Sequence, residues 1–368
     1  MAAGNSTAGD PIADSLDGVL KPSVAVFLEH HHKVAKYRNS DFPMERSRFR
    51  EFRNDLVSEF IQALNLEDWV VRNPSSKDSP IATWFKDRVV ARKEIHGVRV
   101  EIHAVTIHPS GLVVPAVVCL PAGDVKVPGV CTFSGHSGRG LNDMVVNLES
   151  YQQGIATRLA QAGIASIAVE KIDTGYLSRN GARGVDEKEI ASLLLGHREV
   201  LRAHQIRACI AAVEILAAHP RVDETRIGAT GVSLGGWLTI QTAMFNDRIK
   251  AVADFGRKTR TISTEMTPAK YRGQGDLCHI IPGILALCGR NIHPLALAPM
   301  PMLAGHGIKD TGSHAEHLEN YRQLGEAQYQ RLGARDNYTY LVHAGGDTMP
   351  AQETIAWFRK QFGMGEEK

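Results

Sequence analysis

The chain has 368 residues, of which 43% are hydrophobic and 22% charged, with a formal charge of +2. That length buries a substantial core, either as one large α/β domain with an appendage or as two average domains. The near-neutral balance gives no reason to expect nucleic acid or a membrane surface as partner. No window approaches about 18 uninterrupted apolar residues, so no membrane span is expected.

In chain order, Met1 to Asp14 is small and polar. It lacks the basic-then-apolar pattern of a secretory signal, which predicts a cytoplasmic protein. The run His30-His31-His32 has neither the spacing nor the second cluster of a zinc site and reads as a solvated helix face. From Val24 to Leu66, Phe27, Val34, Phe49, Phe52, Leu56, Phe60 and Leu64 recur at helix-like intervals among charges. This predicts two or three helices, so residues 1–88 are a tail and helical cap and residues 89–368 the main domain.

Val98 to Ile107 alternates, Pro109-Ser110-Gly111 is a turn, and Val113 to Leu120 is apolar and β-branched. Those features predict a meander of antiparallel strands. Beyond Val127 strands and helices alternate: strand Gly129 to Phe133, helix Tyr151 to Ala162, strand Ile164 to Glu170, and a long amphipathic helix His197 to His219. Further strands are predicted at Arg226 to Thr230, Ala251 to Phe255, Pro301 to Ala304 and Tyr338 to Val342. Helices are predicted at Trp237 to Phe245, Ala315 to Leu332 and Gln352 to Phe362. Such alternation calls for a mostly parallel central sheet with helices on both faces. The irregular stretch Arg257 to Asn291 is a lid-like insertion overhanging the sheet edge, expected to wall a pocket. Cys119, Cys131, Cys209, Cys278 and Cys288 are an odd number at irregular spacings in apolar surroundings, so they read as reduced core residues.

The chemistry centres on Gly231-Val232-Ser233-Leu234-Gly235-Gly236, between a strand and a helix. A serine on such a corner is held exposed, and the next amide, on Leu234, points from a helix N-terminus at a developing oxyanion. Ser233 is the candidate nucleophile, against the alternative of a glycine-rich turn with an incidental serine. Ser134-Gly135-His136-Ser137-Gly138 follows an earlier strand, and its glycines can turn N–H groups inward, making Gly135, His136 and Ser137 candidates for the oxyanion or substrate side. Asp310, beyond the strand Pro301 to Ala304, is the candidate acid.

These parts, with Gly275 to Gly283, Leu297 to Met302 and the Trp357-Phe358 helix, resemble the α/β-hydrolase superfamily, most closely its dienelactone-hydrolase-like and acetyl-xylan-esterase-like branch. The resemblance spans roughly Val89 to Phe362. It implies a carboxylesterase or deacetylase working through an acyl-enzyme on a small-molecule ester. No metal and no organic cofactor are implied, and homo-oligomerisation stays open. Two positions depart from that pattern. Met300 stands where such esterases usually carry arginine, and Asp347, after Gly345-Gly346, stands where the resemblance places the catalytic histidine. Three readings follow: another histidine, His343, His306, His314 or His136, serves as base; the site is inactivated and binds ligand only; or the fold runs a lyase or cyclase reaction.

Overall fold

The structure is a computed structural model and describes residues 36–72, 85–137, 139–178, 187–256, 277–288, 293–310 and 315–365. The His30-His31-His32 run, Gly138, His314 and most of the expected lid lie outside them.

A nine-stranded sheet organises the chain: β1 (Lys86–Ile95), β2 (Val98–Thr106), β3 (Val113–Leu120), β4 (Val127–Phe133), β5 (Ala165–Val169), β6 (Val222–Val232), β7 (Ile249–Phe255), β8 (Met302–Gly307) and β9 (Tyr338–His343). Their spatial order is β1-β2-β3-β5-β4-β6-β7-β8-β9. The first three strands and the β3–β5 pairing are antiparallel, whereas β5, β4, β6, β7, β8 and β9 run parallel. The meander and the parallel body are therefore as the strand patterns predict.

Alternation along these strands sends side chains to two faces. Cys131 and Phe133 of β4, Ile227 and Ala229 of β6 and Val252 of β7 join one cluster, which includes α1 (Arg46–Leu64), α4 (Leu201–Ala218) and α5 (Leu234–Phe245). Val130, Val232, Ala251, Ala253 and Phe255 point the other way, onto α2 (Ile155–Gln161) and α8 (Ala351–Gln361). The cap helix α1 is thus part of the main core: Phe49, Phe52, Leu56, Phe60 and Leu64 are all buried there, at intervals of three or four.

One expectation changes. The long helix expected to be amphipathic, α4, is buried from Leu201 to Ala217 because the sheet and other elements surround it. Its polar groups survive burial by finding partners remote in sequence: Gln205 donates to Asp173, Arg207 to the Asn65 carbonyl, and Glu214 receives both Asn246 and Arg248. Within the expected lid, the described part 277–288 contains α6 (Ile284–Leu287). Ile281 is 8% exposed and belongs to the main core, whereas Ile280 is 36% exposed. Ile281→Ala is therefore expected to lower unfolding stability by about 2–4 kcal/mol through the cavity it leaves. Ile280→Ala should stay within about 0.5 kcal/mol. Urea midpoints check both, and equal midpoints for the two variants would place Ile281 outside the core.

Candidate active site

β6 delivers Ser233 into a sharp corner with φ 61° and ψ −125°, after which α5 begins at Leu234. A non-glycine residue at positive φ is strained by contact of its Cβ with backbone, and this one is held because its surroundings leave no alternative. Its N–H donates to the Phe255 carbonyl at 2.8 Å, and its carbonyl accepts from Gly236 at 3.1 Å. A Cβ on Gly231 would strike the Gly235 backbone, and one on Gly235 the Phe133 carbonyl at the end of β4. Both glycines are required by close approach. The Leu234 amide sits in the first turn of α5, where N–H groups have no intrahelical acceptor.

The loop after β4 lies directly on this corner. A Cβ on Gly135 would come within 2.9 Å of Ser233 Cβ and of Tyr151 Oη, and within 2.7 Å of the Val232 carbonyl. Lys171, 1% exposed at the end of β5, fixes the loop by donating to Ser134 Oγ at 2.7 Å, Gly135 O at 2.9 Å and Ser134 O at 3.2 Å. Beside it, buried Glu170 accepts from Thr174 Oγ1 at 2.8 Å and from the Leu141 and Tyr176 amides. The Ser137 hydroxyl is engaged inside the loop, donating to Asp143 and accepting from the Arg139 amide. His136 turns its Nε2 to Cys278 and Glu187.

Because β6, β8 and β9 run parallel, the segments bearing Ser233, Asp310 and Asp347 leave the sheet at the same edge. Asp347 abuts the end of β7: a Cβ on Gly256 would run into Asp347 Oδ1, and would lie 2.9 Å from Val232 Cγ2, next to Ser233 in sequence. The carboxylate thus lies against the residue after β7, near the last residue of β6. Burial above all, with the Asp347 carboxylate adding to it, holds the Tyr151 phenol well above its usual range, so it stays a neutral donor.

Asp310 follows β8 on the same edge. Its charge reaches both His306 and His343, yet burial dominates and lowers both imidazoles, keeping them neutral near pH 7. His343, the last residue of β9, is 9% exposed, and its Nδ1 accepts the Gly345 amide at 3.2 Å. That leaves the proton on Nε2, so this tautomer cannot take a second proton there. His306 Nδ1 lies 3.0 Å from Tyr340 Oη. All five cysteines are buried and free of disulfides.

Sequence reasoning passed over Tyr151 and Lys171. The charged pair Glu170-Lys171 at the end of a buried strand was the available signal for Lys171, since the carboxyl ends of parallel strands collect functional groups. Tyr151 carries no comparable signal.

Sheet order, strained serine corner and packed glycine loop define an α/β-hydrolase-fold protein, and comparisons with known proteins agree. Residues 81–256 match the family model of acetyl xylan esterase, a match that ends before Asp310 and Asp347. A Bacillus subtilis (strain 168) protein named as a hydrolase, YtaP, is 23% identical over 223 residues, covering 60% of this chain and 72% of that protein. Among solved structures, a Bacteroides fragilis protein named as an acetyl xylan esterase, BF1801, superposes with a TM-score of 0.73 at 16% identity, over 92% of this chain and 94% of its own. A glucuronoyl esterase from Solibacter usitatus gives 0.56 at 13% identity, over 84% and 92%. By class the chain is a carboxylic ester hydrolase, similar over residues 81–256 to the acetyl xylan esterase family. No helix among the described residues is long and apolar enough to cross a membrane.

Proposed function

We propose that the protein is a serine esterase of deacetylase type, acting on a small-molecule ester through an acyl-enzyme at Ser233, with turnover limited by the carboxylate at position 347. The observation that carries this reading is the strained Ser233 corner with Gly135 packed against it. Strain of this kind persists at sites where the conformation itself is used.

Ser233 Oγ attacks the ester carbonyl and its proton passes to the Asp347 carboxylate. The oxyanion is received by the Leu234 amide and an amide of residues 135–137, in a loop that Lys171 already holds in place. Asp310 contributes negative charge toward His306 and His343 on the same edge. A carboxylate is a weaker acceptor for a serine proton than an imidazole, and it is a poorer source of the proton the leaving group needs. A second reading, a hydrolase-fold protein that binds ligand without turning it over, is favoured by that same carboxylate.

Exposure to a fluorophosphonate probe separates the two, since covalent labelling requires an activated serine. Slow labelling confined to Ser233 is the expected result. Absence of labelling both in the parent protein and in a variant with histidine at position 347 would sink the serine mechanism.

A further inference from the structure

His136, Glu187 and Cys278 are far apart in the chain and meet beside the loop that abuts Ser233. His136 Nε2 lies 3.1 Å from Cys278 Sγ and 3.1 Å from Glu187 Oε2. One donor atom from each residue falls within 4.8 Å of the others. Glu187 divides its oxygens: Oε1 accepts the Cys278 amide at 2.8 Å, leaving Oε2 for the cluster. The fully buried Arg202 donates from Nε to the Cys278 carbonyl at 2.8 Å. The cysteine backbone is therefore fixed from both sides before any ligand arrives.

We infer that these three residues form a binding site for one zinc-class divalent ion, which ties the loop after β4 to α3 (Glu187–Gly196) and to the turn Leu277–His279. Imidazole, thiolate and carboxylate together suit a borderline ion such as Zn²⁺ or Co²⁺ better than the oxygen-seeking Mg²⁺ and Ca²⁺. Bonds of about 2.0–2.3 Å at tetrahedral angles place ligand atoms roughly 3.4–3.6 Å apart. The two contacts at 3.1 Å must open by only a few tenths of an ångström. Charge balances as well: binding releases the thiol proton, so thiolate and carboxylate offset the two positive charges beside a neutral imidazole. Cys278 is 0% exposed and the Glu187 side chain 8%, while the His136 side chain is 28% exposed. The sequence offered no such reading, because the three residues fit no zinc spacing.

The site is independent of the serine mechanism and its test does not use turnover. Full-length protein, stripped with chelator, is titrated with Co²⁺ and then with Zn²⁺. The expected result is one equivalent bound, a thiolate-to-cobalt charge-transfer band, and displacement of that band by Zn²⁺. Cys278→Ser should remove the band, and His136→Asn and Glu187→Gln should each weaken binding by about a hundredfold, with circular dichroism unchanged. In the unsubstituted protein, cobalt binding without a thiolate band, or no stoichiometric binding, overturns the proposal and reduces the trio to a hydrogen-bonded cluster. A band that persists in Cys278→Ser would assign the metal to another thiol and end it equally.

Discussion

Asp347→His is expected to raise the turnover of simple aryl acetates by about a hundredfold to ten-thousandfold, the range a general base of this kind contributes. The position is suited to the exchange. Asp347 abuts Gly256, near the end of β6, the strand that delivers Ser233. Its backbone is also already placed, because Lys309 donates to the Gly345 carbonyl and Thr348 to the Gly346 carbonyl. Among the described residues, the other candidate imidazoles are engaged elsewhere: His343 keeps its proton on Nε2, His306 pairs with Tyr340, and His136 turns to Cys278 and Glu187. Steady-state kcat for parent and variant decides it. Equal and appreciable rates would show that Asp347 does not limit the chemistry, whereas a dead variant with an aligned imidazole would point to a different reaction.

The second large effect is conditional on the first. Ser233→Ala introduced into the Asp347→His protein should lower kcat by at least about a thousandfold, whereas in the parent, where the relay is already incomplete, the same change should remove far less. Groups that act as a unit are strongly non-additive in this way. The full cycle of four proteins, assayed on one aryl acetate, reads out the coupling. A double variant that retained the rate of Asp347→His would exclude Ser233 as the nucleophile, and identical losses in both backgrounds would mean that the two residues do not work together.

The strands were legible because their signal is local: alternation in Val98 to Ile107 and short apolar runs such as Gly129 to Phe133. The serine corner was equally legible, since its glycines answer to contacts that any such corner makes. What could not be read rests on partners distant in sequence. The polar residues of α4 suggested a solvated face, but Asp173, Asn65 and Arg248 satisfy them inside the core. Helix α3 went unread although it supplies Glu187, and Lys171 acquires its meaning only from Ser134 and Gly135 across the sheet. The identity of position 347 was plain from the sequence, yet its closeness to Gly256 is a fact of three dimensions.

The sheet ends in an antiparallel strand whose outer rim is charged. β1 bears Lys86, Asp87, Arg88, Arg92, Lys93 and Glu94, all exposed, and its pairing with β2 is interrupted by a bulge between Val89 and Ala91. A strand from another molecule seeking to extend the sheet at this rim would have to strip water from ammonium and guanidinium groups and match an irregular ladder. This border of the sheet therefore resists fibrillar growth.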